Sequence, residues 1–486
     1  MKSARRVLLP MLQLTSVVDE NSPVREEVTI PATLMHASRI YHVAPKTACL
    51  DDHYAGAFSR EVFPVLKLFP LVLSHDGAPW AEANMWLLNK ALDFHGHAMS
   101  SLAGNADDLA AYLRFLEETD IDWAAFPANK LQRPTYRYYS YLKYSLANAE
   151  IAHSTARRRM ATVIRFYRWL QYAHYLPLAH EPWKETERIV FFNDPRGFRT
   201  KTTVMTTDIS FKRLKVDDPY DGFIDDGGKL QALSQSEQRW LLEALLAAGN
   251  TEMTLIHLFG LLTGARIQSI LTMKVRHVMI SPKMFSGDVL RLAIGPGTGI
   301  DTKNDKKMVL HIPVWFFRLL QNYAVSHRAR KRRMRAVGGD IDEQYLFLSV
   351  RGNSFYDSKN TISGTRENEY RHHDKTGQAV RQFIKEKIIP YIQLHHKSNA
   401  FQFRFHDTRA TFGMNLMDSQ LALVERGDTT LKNALEFVKT RLSHESVVTT
   451  ERYLNYRSRM KMIQSAQDGW ENEIYRIVSG GIKDDN

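Results

Sequence analysis

Leu442-Ser443-His444-Glu445-Ser446-Val447-Val448-Thr449-Thr450-Glu451-Arg452-Tyr453 is the stretch on which the reading of this chain turns. It sets a histidine and a tyrosine nine residues apart. On one continuous helix that spacing is two and a half turns, which aims the two side chains in opposite directions. For both to serve one site, either the chain bends between them or the tyrosine is delivered separately. Taken alone, Tyr453 reads as a packed core tyrosine. A free phenol has a pKa near ~10, so a nucleophilic tyrosine needs cations around its developing charge.

Working outward, candidates for those cations occur in order along the chain. His406 and Arg409, in His406-Asp407-Thr408-Arg409-Ala410-Thr411-Phe412, are spaced i, i+3 and share a face if the segment is helical. Arg266 follows an apolar helix and a Thr-Gly turn, in Leu262-Thr263-Gly264-Ala265-Arg266. By itself it would be a cation at a helix end. Lys303 lies at the predicted tip between two strands, in Asp301-Thr302-Lys303-Asn304-Asp305-Lys306-Lys307. By itself it is a solvated turn lysine, and Lys306 or Lys307 could take its place. Cutting a DNA strand without a metal needs a nucleophile for phosphorus, cations for the phosphate, an acid for the departing 5′ oxygen, and a base or donor. Arginine suits the phosphate because its planar fork matches two oxygens at once.

Four blocks together resemble the catalytic domain of the tyrosine recombinase (phage integrase) family. They are Thr263-Gly264-Ala265-Arg266-Ile267; Thr302-Lys303 with Val309-Leu310-His311-Ile312-Pro313; the His406 to Phe412 block; and Leu442-Ser443-His444 through Tyr453. The resemblance covers about residues 228–460. It implies that Arg266 and Arg409 clamp the scissile phosphate and that Lys303 is the acid for the 5′ oxygen. It implies that His406 assists as base or donor, that His444 binds a phosphate oxygen, and that Tyr453 forms a 3′-phosphotyrosyl bond. No metal or other cofactor is then required. Ser269, Thr408, Ala410 and Ser443 depart from the family pattern, where an acidic residue, Leu, His and Gly are usual.

The implied function is a site-specific recombinase that integrates or excises a mobile element. Its partners would be double-stranded DNA sites, further copies of itself in a tetramer, and accessory DNA-bending or partner recombinase proteins. The alternatives are a topoisomerase-like or hairpin-forming nicking and closing enzyme, and a non-catalytic DNA-binding relative.

Composition is compatible with this. The chain has 486 residues, with 65 Lys and Arg against 53 Asp and Glu, a net charge of +12 that favours a polyanionic partner. Its one cysteine, Cys49, excludes an intramolecular disulfide and a Cys-based zinc site, and fits a reducing cytosol. Val62–Leu73 is apolar but broken by Pro64, Lys67 and Pro70 and is short of the ~18 residues of a membrane helix. Met1–Leu14 lacks a small-residue cleavage site and reads as an untargeted N-terminus. The adjacent pairs His372-His373 and His395-His396 diverge, with no carboxylate spacing to complete a metal site.

The expected fold is mainly α with a small antiparallel β-sheet. It comprises an N-terminal extension or accessory module (1–75), a helical core DNA-binding domain (76–185), a linker (186–227), a catalytic domain (228–470) and a C-terminal tail (471–486). In the helical domain, Lys143, Arg157, Arg158 and Arg159 are the candidate DNA contacts, among the tyrosines 136, 138, 139, 141 and 144. Asp107 and Asp108 are expected at a helix start, Ser154 as an N-cap, and Pro313–Arg335 as one helix whose basic end, Arg328–Arg335, either faces phosphate or is simply solvated. Ser234 and Glu237 form a capping-box pattern. The apolar residues of the tail, Met460 to Ile477, would pack on a neighbouring protomer or on the chain itself. The polar insertion 352–375 has no assigned role.

Overall fold

The computed structural model describes residues 3–13, 16–19, 41–44, 65–92, 99–173, 179–193, 199–212, 222–279, 287–358, 375–460, 471 and 474–475. Cys49, the Asp217–Asp221 turn, most of the 352–375 insertion with His372-His373, and most of the tail lie outside them. The described residues fall into two units, one up to 212 and one from 222 onward.

In the first unit, β1 (Arg5–Gln13) pairs antiparallel with β4 (Val65–Leu73), and β2 (Ser16–Asp19) with β3 (Tyr41–Ala44). Helices α1 (Ala81–Leu92), α2 (Met99–Glu118), α3 (Pro134–Ala147) and α4 (His153–Tyr172) follow, then the hairpin β5 (Glu185–Asn193) and β6 (Arg199–Thr207). Burial in α4 recurs at Ala156, Met160, Val163, Tyr167 and Leu170, the three-and-four spacing of a one-faced helix. Leu66, Phe69 and Val72 of β4 share a core with Trp86, Phe115 and Phe166.

Several local expectations shift. Helix α2 begins at Met99, so Asp107 and Asp108 sit mid-helix. Asp108 is buried, ion-paired with Arg158 Nη1 at 3.0 Å, and accepts a hydrogen bond from Thr162 Oγ1 at 2.9 Å. The cap of α4 is Ala152, without a side-chain bond, and Ser154 lies inside the first turn. Tyr136 and Tyr138 are core residues, whereas Tyr141 and Tyr144 are exposed.

The second unit opens with a short hairpin, β7 (Ile224–Asp225) and β8 (Lys229–Leu230). Then come α5 (Gln235–Ala247), α6 (Thr251–Thr263) and α7 (Ile267–Leu271). Ser234 and Glu237 make the expected capping box on α5. The antiparallel strands β9 (Val289–Ile294) and β10 (Met308–Pro313) flank the Lys303 loop. Helices α8 (Val314–Val325), α9 (His327–Met334), α10 (Gln378–Phe383), α11 (Ile389–His395), α12 (Asp407–Glu425) and α13 (Leu431–Leu442) lead to α14, residues 447–460.

The 313–335 segment is two helices, because Ser326 is extended (ψ 150°) and caps α9 through its side chain. Its basic end is divided: Arg332 and Arg333 are buried, whereas Arg328, Arg330, Lys331 and Arg335 are exposed. Arg328 and Arg332 both reach the fully buried Glu252 at 2.8 Å, and Arg333 is 4% exposed and pairs with Asp340. A buried carboxylate costs several kcal/mol unless paired, about enough to fix these arginines as structural. Arg328, Arg332 and Arg333 are thus held by carboxylates of the protein itself, and the exposed Arg330, Lys331 and Arg335 are what remains of the expected phosphate-facing run.

Candidate active site

Helix α12 is the centre of the site. Its residues 407–414 are all buried, so the first two turns of the helix are packed on every side. His406 caps it, and Arg409 lies one turn in, 1% exposed. The guanidinium of Arg409 donates from Nη1 to the Gly264 carbonyl at 2.9 Å and from Nη2 to the Leu442 carbonyl at 2.7 Å. Both acceptors end helices, where carbonyls lack intrahelical partners and carry partial negative charge. Arg409 thereby ties together α6, α12 and α13. Its Nε donates to Asp226 Oδ2 at 2.8 Å.

Gly264 closes α6 with a left-handed φ of 66°, and a β-carbon there would lie 2.6 Å from the Phe412 ring. Arg266 comes two residues later, half-buried, as the cap of α7. Burial and the neighbouring Arg409 lower its pKa, against the opposing charges of Asp226 and Tyr453. All four groups thus lie within one electrostatic neighbourhood.

The chain bends between His444 and Tyr453. Ser443 ends α13 in the left-handed region (φ 53°, ψ 44°), and α14 restarts at residue 447. His444 Nδ1 lies 3.0 Å from Thr450 Oγ1, and its Nε2 lies 3.1 Å from Asp226 Oδ2. Tyr453 is fully buried, and its hydroxyl donates to the same oxygen at 2.9 Å. Its ring fits because residue 413 is glycine: a β-carbon there would be 2.4 Å from Tyr453 Cε1. Burial raises the phenol well above its ordinary pKa and Asp226 adds to this, while Arg409 and Arg266 pull the other way. The resting tyrosine is a neutral phenol.

A non-glycine residue in the left-handed region carries strain. Ser443→Gly is expected to stabilise the second unit by about 0.5–1 kcal/mol, read as a higher urea midpoint; a lower midpoint would show that the turn is unstrained.

Burial and the cations Arg409 and Arg266 hold His406 down to about 4, partly offset by Asp226, whose carboxylate and backbone carbonyl both act on the ring. His406 is therefore neutral at physiological pH and able to accept a proton. His257, buried in α6, is likewise lowered to about 4 by desolvation. An unfolded histidine titrates near ~6.5. The stability tied to both neutral rings is complete above that value and declines as pH falls from ~6.5 to about 4. The urea midpoint of the second unit should therefore drop between about pH 7 and about pH 5, less steeply in His257→Gln. Equal slopes for the two proteins would contradict this.

Lys303 occupies the loop between β9 and β10, placed so that a β-carbon on Gly227 would lie 3.4 Å from its Nζ. Lys306 donates to the Ser443 carbonyl at 2.7 Å, pinning the same loop to the turn before His444. Of the residues that depart from the family pattern, Ser269 bonds the Asp301 carbonyl and Thr408 the Phe405 carbonyl, each at 2.7–2.8 Å, and Ala410 is core.

Sequence reasoning missed two members of the site, Asp226 and Thr450. Asp226 falls at the end of the expected linker 186–227, and its only signal in the sequence is an Asp-Gly-Gly turn between Ile224 and Leu230. The carboxyl of Asp226 is 5% exposed. Burial alone would raise its pKa, but the hydrogen bond from His444 and the charges of Arg409 and His444 hold it far below the ordinary carboxylate range.

In the first unit, Lys143 and Arg157 are exposed, Arg158 is exposed but paired with Asp108, and Arg159 is half-buried. His395 bonds the Tyr391 carbonyl, and His396 stacks on Trp240 and pairs with Glu243 at 3.1 Å. Among the described residues, no group of His, Cys, Asp or Glu is arranged to hold a metal, and no helix is long and apolar enough to cross a membrane.

The chain resembles solved site-specific recombinases. One is the XerH site-specific recombinase bound to its palindromic difH substrate, with a TM-score of 0.42 and 13% identity over 80% of this chain and 89% of that one. Another is the Tn1549 transposon integrase with transposon right-end DNA (TM-score 0.40, 12% identity, 79% and 99% covered). A third is a lambda integrase dimer on a core site (TM-score 0.39, 11% identity, 77% and 94% covered). No family model and no curated protein matches the sequence. With TM-scores of 0.42 or below, function is read from the side chains.

Proposed function

We propose that this protein is a site-specific DNA recombinase of the tyrosine type, which cuts and rejoins strands through a 3′-phosphotyrosyl intermediate. One observation carries the reading. Arg409, His444 and Tyr453, from three separate elements, converge on a single anionic oxygen, with Arg266 and His406 in the same electrostatic neighbourhood.

The chemistry follows from the groups present. Arg266, Arg409 and His444 neutralise the non-bridging oxygens as charge builds at phosphorus. The Tyr453 oxygen attacks, forming the Tyr–O–P bond, and its proton passes to neutral His406. The P–O5′ bond breaks, and Lys303 supplies the proton that the 5′ oxygen takes up. The phosphodiester energy is kept in the tyrosyl ester, so the reverse attack by a 5′ hydroxyl reseals a strand without an external energy source. Exchange between two duplexes calls for several copies of the chain. The exposed Lys143 and Arg157 of the first unit would contact the DNA backbone within the helical region 76–185. The setting would be integration or excision of a mobile element in a reducing cytosol, with accessory DNA-bending proteins as further partners.

The test uses a pool of nicked duplexes with randomised flanks, in which the freed 5′ fragment diffuses away and traps the adduct. Covalent adduct together with strand exchange between two labelled duplexes is the expected result. Adduct without exchange would make the protein a nicking and closing enzyme. No adduct at all would leave a non-catalytic DNA-binding protein.

A further inference from the structure

The turn between β7 and β8 carries the anion at the centre of the site. Asp226 Oδ2 accepts Arg409 Nε at 2.8 Å, the Tyr453 hydroxyl at 2.9 Å and His444 Nε2 at 3.1 Å. Arg409 and His444 are donors assigned above to the scissile phosphate, and Tyr453 is the nucleophile assigned to attack it. A carboxylate bears one negative charge, as a phosphodiester does. While one oxygen holds all three donors, no phosphate oxygen can take them.

The hairpin is fastened in a way that allows its tip to leave. Ile224 and Leu230 are buried in the same cluster as Tyr453 and anchor the two short strands. The rim is held by two half-exposed or exposed arginines. Arg452 Nη1 donates to the Asp225 carbonyl at 2.6 Å, and Arg404 donates to the Lys229 carbonyl. Gly227 and Gly228, at φ 70° and 155°, follow Asp226 and can rearrange without β-carbon strain.

We propose that Asp226 is a built-in stand-in for the scissile phosphate, and that the hairpin 224–230 is a strap that keeps the DNA-free site assembled but blocked until a DNA phosphate displaces the carboxylate. This inference rests on the strand-transfer reading above. The strap gives the tyrosine, arginine and histidine their converged geometry before DNA arrives. A phosphate entering beside the carboxylate would set two like charges against one another, which favours exchange of one for the other. DNA access then depends on the fraction of molecules with the strap lifted, and apparent affinity falls in proportion to that fraction.

The test uses the full chain and duplexes of random flanking sequence that carry a 5′-bridging phosphorothiolate, whose thiol product religates poorly and so traps the adduct. At subsaturating DNA, Asp226→Ala is expected to form adduct about tenfold faster than the wild type. Arg452→Ala, which loosens the rim without touching the pocket, is expected to give a smaller rise and serves if the first variant fails to fold. An unchanged or slower rate in both variants would overturn the strap and make Asp226 a positioning residue. A second measurement needs no DNA. Inorganic sulfate, at ionic strength matched with chloride, is expected to raise the melting temperature of Asp226→Ala by a few degrees more than that of the wild type. Equal shifts would overturn the strap. Sulfate stabilisation with no adduct in any variant would instead overturn the strand-transfer reading and leave the anion stand-in standing.

Discussion

Tyr453→Phe is expected to abolish covalent attachment to DNA while leaving the fold and DNA affinity close to those of the wild type. The phenol oxygen is the atom that would form the bond to phosphorus, and phenylalanine offers none. The ring itself is retained, and with it the packing against Gly413 and the α12–α13 cluster. What is lost is the 2.9 Å hydrogen bond to Asp226, whose oxygen keeps Arg409 and His444 as partners. Removing one of several donors to a satisfied group costs about 1 kcal/mol. Denaturing gel electrophoresis of the trapped nicked duplex reads the first effect and thermal melting the second. Adduct surviving in this variant would place the nucleophile elsewhere.

Arg409→Ala carries the second large effect, on stability and on rate together. The guanidinium joins the C-terminal carbonyls of α6 and α13 to Asp226 from within the core. Truncation takes the arginine charge away from a buried carboxylate, leaving it only His444 and Tyr453, and strands two helix-end carbonyls. Breaking a buried pair in this way costs about 3–5 kcal/mol, so the urea midpoint of the second unit should fall steeply. Among molecules still folded, loss of one transition-state donor slows cleavage by about a hundred- to a thousandfold. Arg409→Lys keeps the charge but not the fork, and should recover part of the stability and little of the rate. If alanine at 409 left both quantities unchanged, the guanidinium would have no part in the site.

What the sequence made legible, and what it hid, follows from how local each signal is. The capping box at Ser234 and Glu237, the left-handed stop at Gly264 and the β9–β10 pair depend on neighbours a few residues apart, and all are present. The His444 to Tyr453 spacing foretold that the chain must turn or the tyrosine come from elsewhere; Ser443 supplies the turn. Within the Arg328–Arg335 run, the pairing of Arg328 and Arg332 was hidden because their partner, Glu252, lies far back in the chain with nothing in the run to announce it. Asp226 was hidden for the same reason. It sits 183 residues before Arg409 and 227 before Tyr453, and only folding reveals that its carboxylate meets them.

The most direct measurement is the identity of the linked residue and of the DNA end it holds. Wild-type protein trapped on the nicked duplex pool would be digested with protease and nuclease, and the nucleotide-bearing peptide sequenced by mass spectrometry. The predicted product is a single peptide carrying the nucleotide on Tyr453 through a 3′-phosphate, with a free 5′ hydroxyl on the released strand. A nucleotide on another side chain, or a 5′-phosphate linkage with a free 3′ hydroxyl, would contradict a phosphate seated among Arg266, Arg409 and His444 in line with that phenol.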